Sequence, residues 1–102
     1  MKMALIYITF PTEEEAVKTS MHLLEKKLIA CSNIHPTRSI YRWKGKLQDE
    51  KEFAIIAKTK EKNYEKIKKE VKKLHSYSVP CILKIDAEAN EEYKQWVNQE
   101  VK

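Results

Sequence analysis

The alternation of apolar and polar positions predicts β structure at the start of the chain, followed by a helix. The apolar run from Met3 to Phe10 is typical of a buried strand. Thr12, with Glu15 three residues later, forms the capping-box pattern that begins a helix. Apolar residues then recur at spacings of 4, 3 and 4 and predict the core face of this helix: Val17, Met21, Leu24 and Leu28.

The middle of the chain predicts a long β-hairpin. Apolar residues between Ile29 and Trp43 indicate one strand, a tight turn at Gly45 reverses the chain, and residues 46–59 form the return strand. Residues 28–43, if extended, span about 50 Å at ~3.3 Å per residue. A domain of this length has a diameter of only about 33 Å. We therefore expect an arm that projects from the body, unless the strand bends at Pro36 and folds back.

The second half repeats the order of helix and strand and adds a final helix. Spacings of 3, 4 and 3 predict a second helix with the core face Tyr64, Ile67, Val71 and Leu74. Alternating positions predict a fourth strand with the apolar face Val79, Cys81, Leu83 and Ile85. Asn90 caps a last helix that carries Tyr93, Trp96 and Val97. The order β-α-β-β-α-β predicts an α+β, ferredoxin-like split βαβ fold with a C-terminal helix, as one domain over residues 1–102.

Charge and composition narrow the function classes. Residues 60–73 carry seven lysines against three glutamates, which account for most of the net charge of +5. Such a face is either solvated or a phosphate-binding stripe, but the only arginines are Arg38 and Arg42 and no RNP-like aromatic strand is present. Nucleic-acid binding is therefore not expected. No apolar run is long enough for membrane insertion, and two lone cysteines without a signal segment indicate a reducing cytoplasm.

Few residues of the chain are candidates for catalysis or metal binding. No nucleophile can be paired with a base and no Gly-rich phosphate loop exists, so an enzyme is not expected. The soft metal ligands are His75, Cys31 and Cys81. Cys31 and His35 lie about 13 Å apart on one extended strand, too far to bind one ion together. Each cysteine could equally pack in the core, and His75 could equally stabilise the end of the second helix.

The hairpin arm itself predicts association. An arm that projects leaves strand edges unpaired and exposes Tyr41 and Trp43 to water. Pairing with a second copy of the chain would satisfy the backbone groups and bury the two rings. We therefore expect a homo-oligomer rather than a monomer.

These segments resemble the CutA divalent-cation tolerance family over nearly the whole chain. The sequence LIACSN at residues 28–33 is similar to the family's L-I-A-C-x-N signature, and SIYRWKGK at residues 39–46 to its S-x-Y-x-W-x-G-K hairpin. Glu52, Lys58-Thr59 and HSYSVP at residues 75–80 fall where the family has E, K-T and H-P-Y-x-x-P. The closing YKQW at residues 93–96 is similar to its Y-x-x-W.

The resemblance implies a cytoplasmic homotrimer with a role in tolerance of copper and other divalent metals through weak binding. It implies no obligate cofactor, with Cu(II) or another divalent cation as the ligand. The positions of the family's copper ligands are occupied in this chain by Ile8, Leu74 and His75, of which only His75 can bind copper. Cys31 and Cys81 are further candidate ligands. The interface residues that the resemblance and the arm together suggest are Tyr41, Trp43, Gly45 and Trp96.

An alternative function stays open. The trimer implied by the resemblance is similar to PII-like signalling proteins, which bind small ligands in clefts between subunits. In that case a small anionic ligand would occupy a cleft lined by Tyr41, Lys46, Glu52, Lys58 and Tyr77.

Overall fold

Four antiparallel strands form one sheet, in which the spatial order of the strands, numbered along the chain, is second, third, first and fourth. The computed structural model describes all residues, 1–102. Its elements are β1 (Met3–Phe10), α1 (Glu13–Glu25), β2 (Cys31–Trp43), β3 (Lys46–Lys60), a 3₁₀ turn (Glu61–Asn63), α2 (Tyr64–Leu74), β4 (Ile82–Ala87) and α3 (Glu91–Glu100). This order, in which β1 pairs with both β3 and β4, is the ferredoxin-like arrangement, and the predicted fold class is confirmed.

The core lies between the sheet and helices α1 and α2. Alternate residues of β1 and β3 point to the helices because side chains alternate between the two faces of a strand. The fully buried members of this layer include Ile6, Ile8, Phe10, Ile55, Leu23, Ile67 and Val71. The predicted core face of α2 is confirmed at Ile67 and Val71, whereas Leu74 at the end of the helix is 38% exposed.

The predicted core face of α1 is wrong at three of its four positions; only Leu28, beyond the end of the helix, is buried. Val17, Met21 and Leu24 are 43%, 53% and 37% exposed, and the buried residues of the helix are Ala16, Thr19, Ser20 and Leu23. Most side chains of this buried face are small, and the Ser20 hydroxyl forms a hydrogen bond of 2.8 Å with that of Ser32 on β2. The apolar stripe is therefore the neighbouring face of the helix, turned away from the core.

Strand β4 is also oriented differently from the prediction. It begins at Ile82 rather than at Val79, and Ile82 is buried while Leu83 and Ile85 are about half exposed. Leu83 lies opposite Tyr7 and Ile85 opposite Leu5, on the sheet face away from α1 and α2. The apolar alternation therefore marks the open face of the sheet, and residues 76–81 form a loop.

The hairpin arm projects as a continuous ribbon. β2 and β3 stay in register from Cys31↔Lys58 to Trp43↔Lys46, and the pair Pro36↔Phe53 lies within this ladder, so the strand does not fold back at Pro36. Proline is tolerated here because β2 is an edge strand. Lys44 and Gly45 both have positive φ, 50° and 79°, as a two-residue hairpin turn requires. The longest dimension of the molecule, 45 Å, exceeds the other two, 24 and 21 Å.

Helix α3 packs on the rest of the chain through Val97, which is fully buried. Trp96, one residue earlier, is 40% exposed, and its ring lies beside that of Tyr93 with 5.5 Å between centroids. None of the three helices has the length and apolarity needed to cross a bilayer.

Candidate functional site

An open cleft of about 700 Å³ lies between the hairpin arm, β1 and the loop of residues 76–81. The cleft lies on the sheet face away from α1 and α2. Every second side chain of β2 and β3 points to this face, so alternate residues of the two strands can line the cleft. The cross-strand pairs Ser39↔Glu50 and Tyr41↔Gln48 form its arm side. Its aromatic and acidic lining residues are Tyr7, Tyr41, Trp43, Tyr77, Glu50 and Glu52.

Glu52 is the most buried acidic side chain of the cleft. The residue is only 5% exposed, and its Oε2 accepts a hydrogen bond of 2.6 Å from the hydroxyl of Tyr77. No lysine, arginine or histidine nitrogen lies within salt-bridge distance of its carboxylate. Burial, followed by the bond to Glu52, raises the pKa of Tyr77. The phenol therefore stays protonated and remains a hydrogen-bond donor.

A second phenol–carboxylate pair lies further along the arm. The Tyr41 hydroxyl donates to Oε1 of Glu50 at 2.5 Å, and this bond is the main cause that raises the pKa of Tyr41 to about 12. No lysine or arginine lines the cleft. With two carboxylates and no cation, the cleft attracts positive charge.

Cys81 lines the same cleft but carries a protonated thiol. Burial, and after it the charge of Glu52, raises the pKa of Cys81. Metals bind the thiolate, so Cys81 is a weak soft ligand at neutral pH.

His75, a predicted metal ligand, makes structural contacts within the chain. Its side chain is completely buried, its Nε2 donates to the Thr9 carbonyl at 2.7 Å, and its Nδ1 accepts the Tyr77 N–H at 3.1 Å. The ring also stacks on Phe10 with 4.7 Å between centroids. Since both nitrogens are used and no surface is accessible, His75 positions Tyr77 and cannot bind an ion without breaking these contacts.

Glu15 is a positioning residue that the sequence prediction missed. Its backbone N–H donates to Oγ1 of Thr12 at 3.2 Å, which is half of the predicted capping box. Its carboxylate, instead of closing that box, accepts bonds from the Ser76 N–H at 2.8 Å and the Ser76 hydroxyl at 2.9 Å. The beginning of α1 therefore fixes the loop that carries Tyr77.

The three predicted metal ligands do not converge within the chain. Cys31 lies at the other end of the sheet, where Lys58 Nζ donates to its Sγ at 3.8 Å and where Cys31 helps to raise the pKa of Tyr93, after burial. Cys81 lines the cleft, and His75 is sealed beneath it. No group of three or more His, Cys, Asp or Glu side chains is arranged to hold a metal ion.

The ligand cleft predicted for an anion forms only in part. Tyr41, Glu52 and Tyr77 line the cleft, but Lys46 lies exposed beside the turn and Lys58 contacts Cys31 instead. Both predicted cations are therefore missing from the cleft, and its charge is the opposite of what an anion needs.

The predicted interface residues are all exposed to solvent in the single chain. Tyr41 and Trp43 are 37% and 43% exposed on the arm, Gly45 forms its tip, and Trp96 is exposed on α3.

The fold and the cleft define a small α+β protein with a long hairpin arm and a cation-attracting cleft. The family described as CutA1 divalent ion tolerance protein matches residues 4–100, and the chain belongs to this family. It is 43% identical over 101 residues to the divalent-cation tolerance protein CutA of Pyrococcus horikoshii, covering 98% of this chain and 99% of the relative. The family membership that the sequence motifs predict is therefore confirmed.

Solved structures of relatives have the same fold. The Archaeoglobus fulgidus CutA structure superposes with a TM-score of 0.95 at 42% identity, over 98% of this chain and 99% of that one. The CutA1 structure from Oryza sativa gives 0.96 at 30% identity, over 100% and 95%. The A. fulgidus protein is described as periplasmic, and a relative from Arabidopsis thaliana as chloroplastic. The family's description names ion tolerance and no enzymatic reaction.

Proposed function

We propose that this chain contributes to divalent-cation tolerance by binding Cu(II) or another divalent cation weakly in the acidic cleft, without catalysis. The observation that carries this proposal is Glu52, a carboxylate only 5% exposed that faces the cleft and has no cationic partner. A buried charge without a counter-ion is unfavourable, and a cation that enters the cleft removes this cost.

The donor set explains why binding is weak. Glu50 and Glu52 supply carboxylate oxygens, which suit divalent cations, and Cys81 adds only a protonated thiol. Divalent ions need further ligands to complete their coordination. Water or a neighbouring subunit supplies them in this proposal.

We also propose that the working form is a homotrimer. β2 is an edge strand of 13 residues, and the arm exposes large apolar side chains, with Ile40 66% and Leu47 71% exposed. Association buries these groups and pairs the free edge.

We place the protein in the cytoplasm because its two cysteines are unpaired thiols, the form that a reducing compartment maintains.

Calorimetric titration with CuCl₂ and with ZnCl₂ tests the cation proposal. We expect Glu52→Gln, which keeps the shape but removes the charge, to weaken binding at least about tenfold, or roughly 1.4 kcal/mol. Glu25→Gln, at an exposed carboxylate on α1, is the matched control and should bind as the unchanged protein does. Equal affinity in the unchanged protein and the Glu52→Gln variant would contradict the proposal.

A further inference from the structure

We propose that Lys60, Lys62 and Lys66 form a binding site for a phosphate group, at the corner of the molecule where β3 passes into α2. This lysine corner lies at the opposite end of the 15-residue strand β3 from the hairpin turn. Lys66 belongs to α2, which packs on the other side of the sheet from the acidic cleft, and Lys62 belongs to the turn that leads into α2. The lysine corner is therefore separate from the arm and from the cleft, which association covers in the proposed trimer.

A tight connection brings the three lysines of the corner together. Lys60 is the last residue of β3, Lys62 lies in the 3₁₀ turn and Lys66 lies in the first turn of α2, with no loop between these elements. Residues four positions apart in successive helical turns lie on the same side, so Lys62 and Lys66 extend from one side of this segment. Three adjoining elements thus each contribute one ammonium group to the corner.

Lys60 is a shielded ammonium group without a counter-charge. The residue is only 8% exposed. Burial, followed by the charges of Lys62 and Lys66, lowers the pKa of Lys60. Charges change a pKa strongly only from about 4–6 Å, so the three ammonium groups face a common space. A shielded charge beside two like charges is unfavourable, and an anion bound among them removes this cost.

The acidic residues of the same segment contact other lysines. Glu61 lies 3.2 Å from Lys2 and 3.9 Å from Lys84, and Glu65 lies 2.9 Å from Lys68. No carboxylate oxygen lies within salt-bridge distance of any of the three ammonium nitrogens of the lysine corner. The corner is therefore a concentration of positive charge that the chain itself does not neutralise.

The chemistry of this charge favours a phosphate group over a carboxylate. Lysine binds phosphate as a compact point charge with three donors, whereas the planar fork that matches a carboxylate belongs to arginine, which the corner lacks. A phosphomonoester carries close to two negative charges and three strong acceptor oxygens, enough to contact three ammonium groups at once. The nearby beginning of α2 adds partial positive charge, which also favours an anion.

Calorimetric titration at constant ionic strength with inorganic phosphate, glycerol 3-phosphate and acetate tests this site. We expect saturable binding of phosphate and at least about tenfold weaker binding of acetate, which has half the charge and fewer acceptors. Equal or tighter binding of glycerol 3-phosphate would support a phosphomonoester as the ligand, and binding of inorganic phosphate alone would support the free ion. No saturable binding of either phosphate compound, or acetate binding as tight as that of phosphate, would overturn the proposal.

Variants that remove one charge locate the binding. Lys60→Met and Lys62→Met should each weaken phosphate binding at least about tenfold, because each removes a charge-assisted contact. Lys72→Met is the matched control and should bind phosphate as the unchanged protein does, since Lys72 is an exposed lysine without a salt bridge near the other end of α2. Phosphate binding that survives Lys62→Met, or that Lys72→Met weakens equally, would refute the site.

The same variants separate the lysine corner from the acidic cleft. Lys62 is exposed, so Lys62→Met decides the outcome if Lys60→Met disturbs folding. Lys62→Met should leave the Cu(II) and Zn(II) titrations unchanged, and Glu52→Gln should leave the phosphate titration unchanged. A loss of phosphate binding in Glu52→Gln would place the phosphate elsewhere and contradict the proposal.

Discussion

Two side chains that both accept hydrogen bonds from Tyr77 have different roles because of their other contacts. His75 uses both ring nitrogens on backbone groups and stacks on Phe10, so it is part of the framework. Glu52 bonds with one oxygen to Tyr77 and leaves the other free. The residue type alone, histidine or glutamate, does not distinguish a framework group from a binding group.

His75→Ala should lower the free energy of unfolding by about 2–4 kcal/mol. The change removes two hydrogen bonds, one of them to the Thr9 carbonyl, and opens a cavity beside Phe10. Guanidinium unfolding at a fixed protein concentration measures this effect. His35→Ala, at an exposed histidine on β2, should change stability by less than about 0.5 kcal/mol. An equal effect at the two positions would show that the buried bonds of His75 carry little stability.

At the scale of elements, a polar cluster joins α1 to α2. Oε1 of Glu70 on α2 lies 2.8 Å from His22 Nε2 and 3.5 Å from Lys26 Nζ, both on the α1 side. Lys73 Nζ lies 3.2 Å from the other oxygen. The bond with His22, followed by the bond with Lys73, lowers the pKa of Glu70 to about 2.

This cluster predicts a loss of stability in acid. The folded protein holds the pKa of Glu70 below the ordinary value of 4.5, so its stabilising effect is present above about pH 4.5 and is lost as the pH falls towards 2. Glu70→Gln should therefore be less stable than the unchanged protein at pH 7, and the difference should shrink towards zero near pH 2. Unfolding curves between pH 2 and 7 measure it. A difference that is constant with pH would exclude ionisation of Glu70 as its source.

At the scale of the whole molecule, the projecting arm exposes aromatic side chains of the single chain to water. The paired ribbon of β2 and β3 carries Trp43 and Tyr41 away from the core of the chain, and neither ring packs under its own helices. A free edge strand and exposed rings are the features of a surface that another copy covers.

The proposed trimer predicts a light-scattering mass of three times 12.1 kDa. Trp43→Lys should shift this mass towards that of one chain, because the lysine cannot be buried at an interface without a partner. Met21→Lys is the matched control, since Met21 is an equally apolar and exposed residue on α1, far from the arm in sequence. Dissociation by Met21→Lys but not by Trp43→Lys would assign the interface to α1 instead.

The sequence by itself determined the order of the elements, the single ferredoxin-like sheet and the long arm. These features depend on local signals: apolar periodicity, the cap at Thr12, and a turn of two residues that ends in Gly45. Because such signals act over a few residues, the bounds of β1 and α2 and the length of β2 could be predicted closely.

Tertiary structure alone decided which faces are buried and which side chains form the cleft. Val17 and Met21 are as apolar as core residues, yet the contact of Ser20 with Ser32 turns another face of α1 to the sheet. Glu52 meets Tyr77 across 25 residues and Glu15 meets Ser76 across 61. Such pairs form only after distant elements pack, so the charge of the cleft and the buried position of His75 lay beyond local patterns.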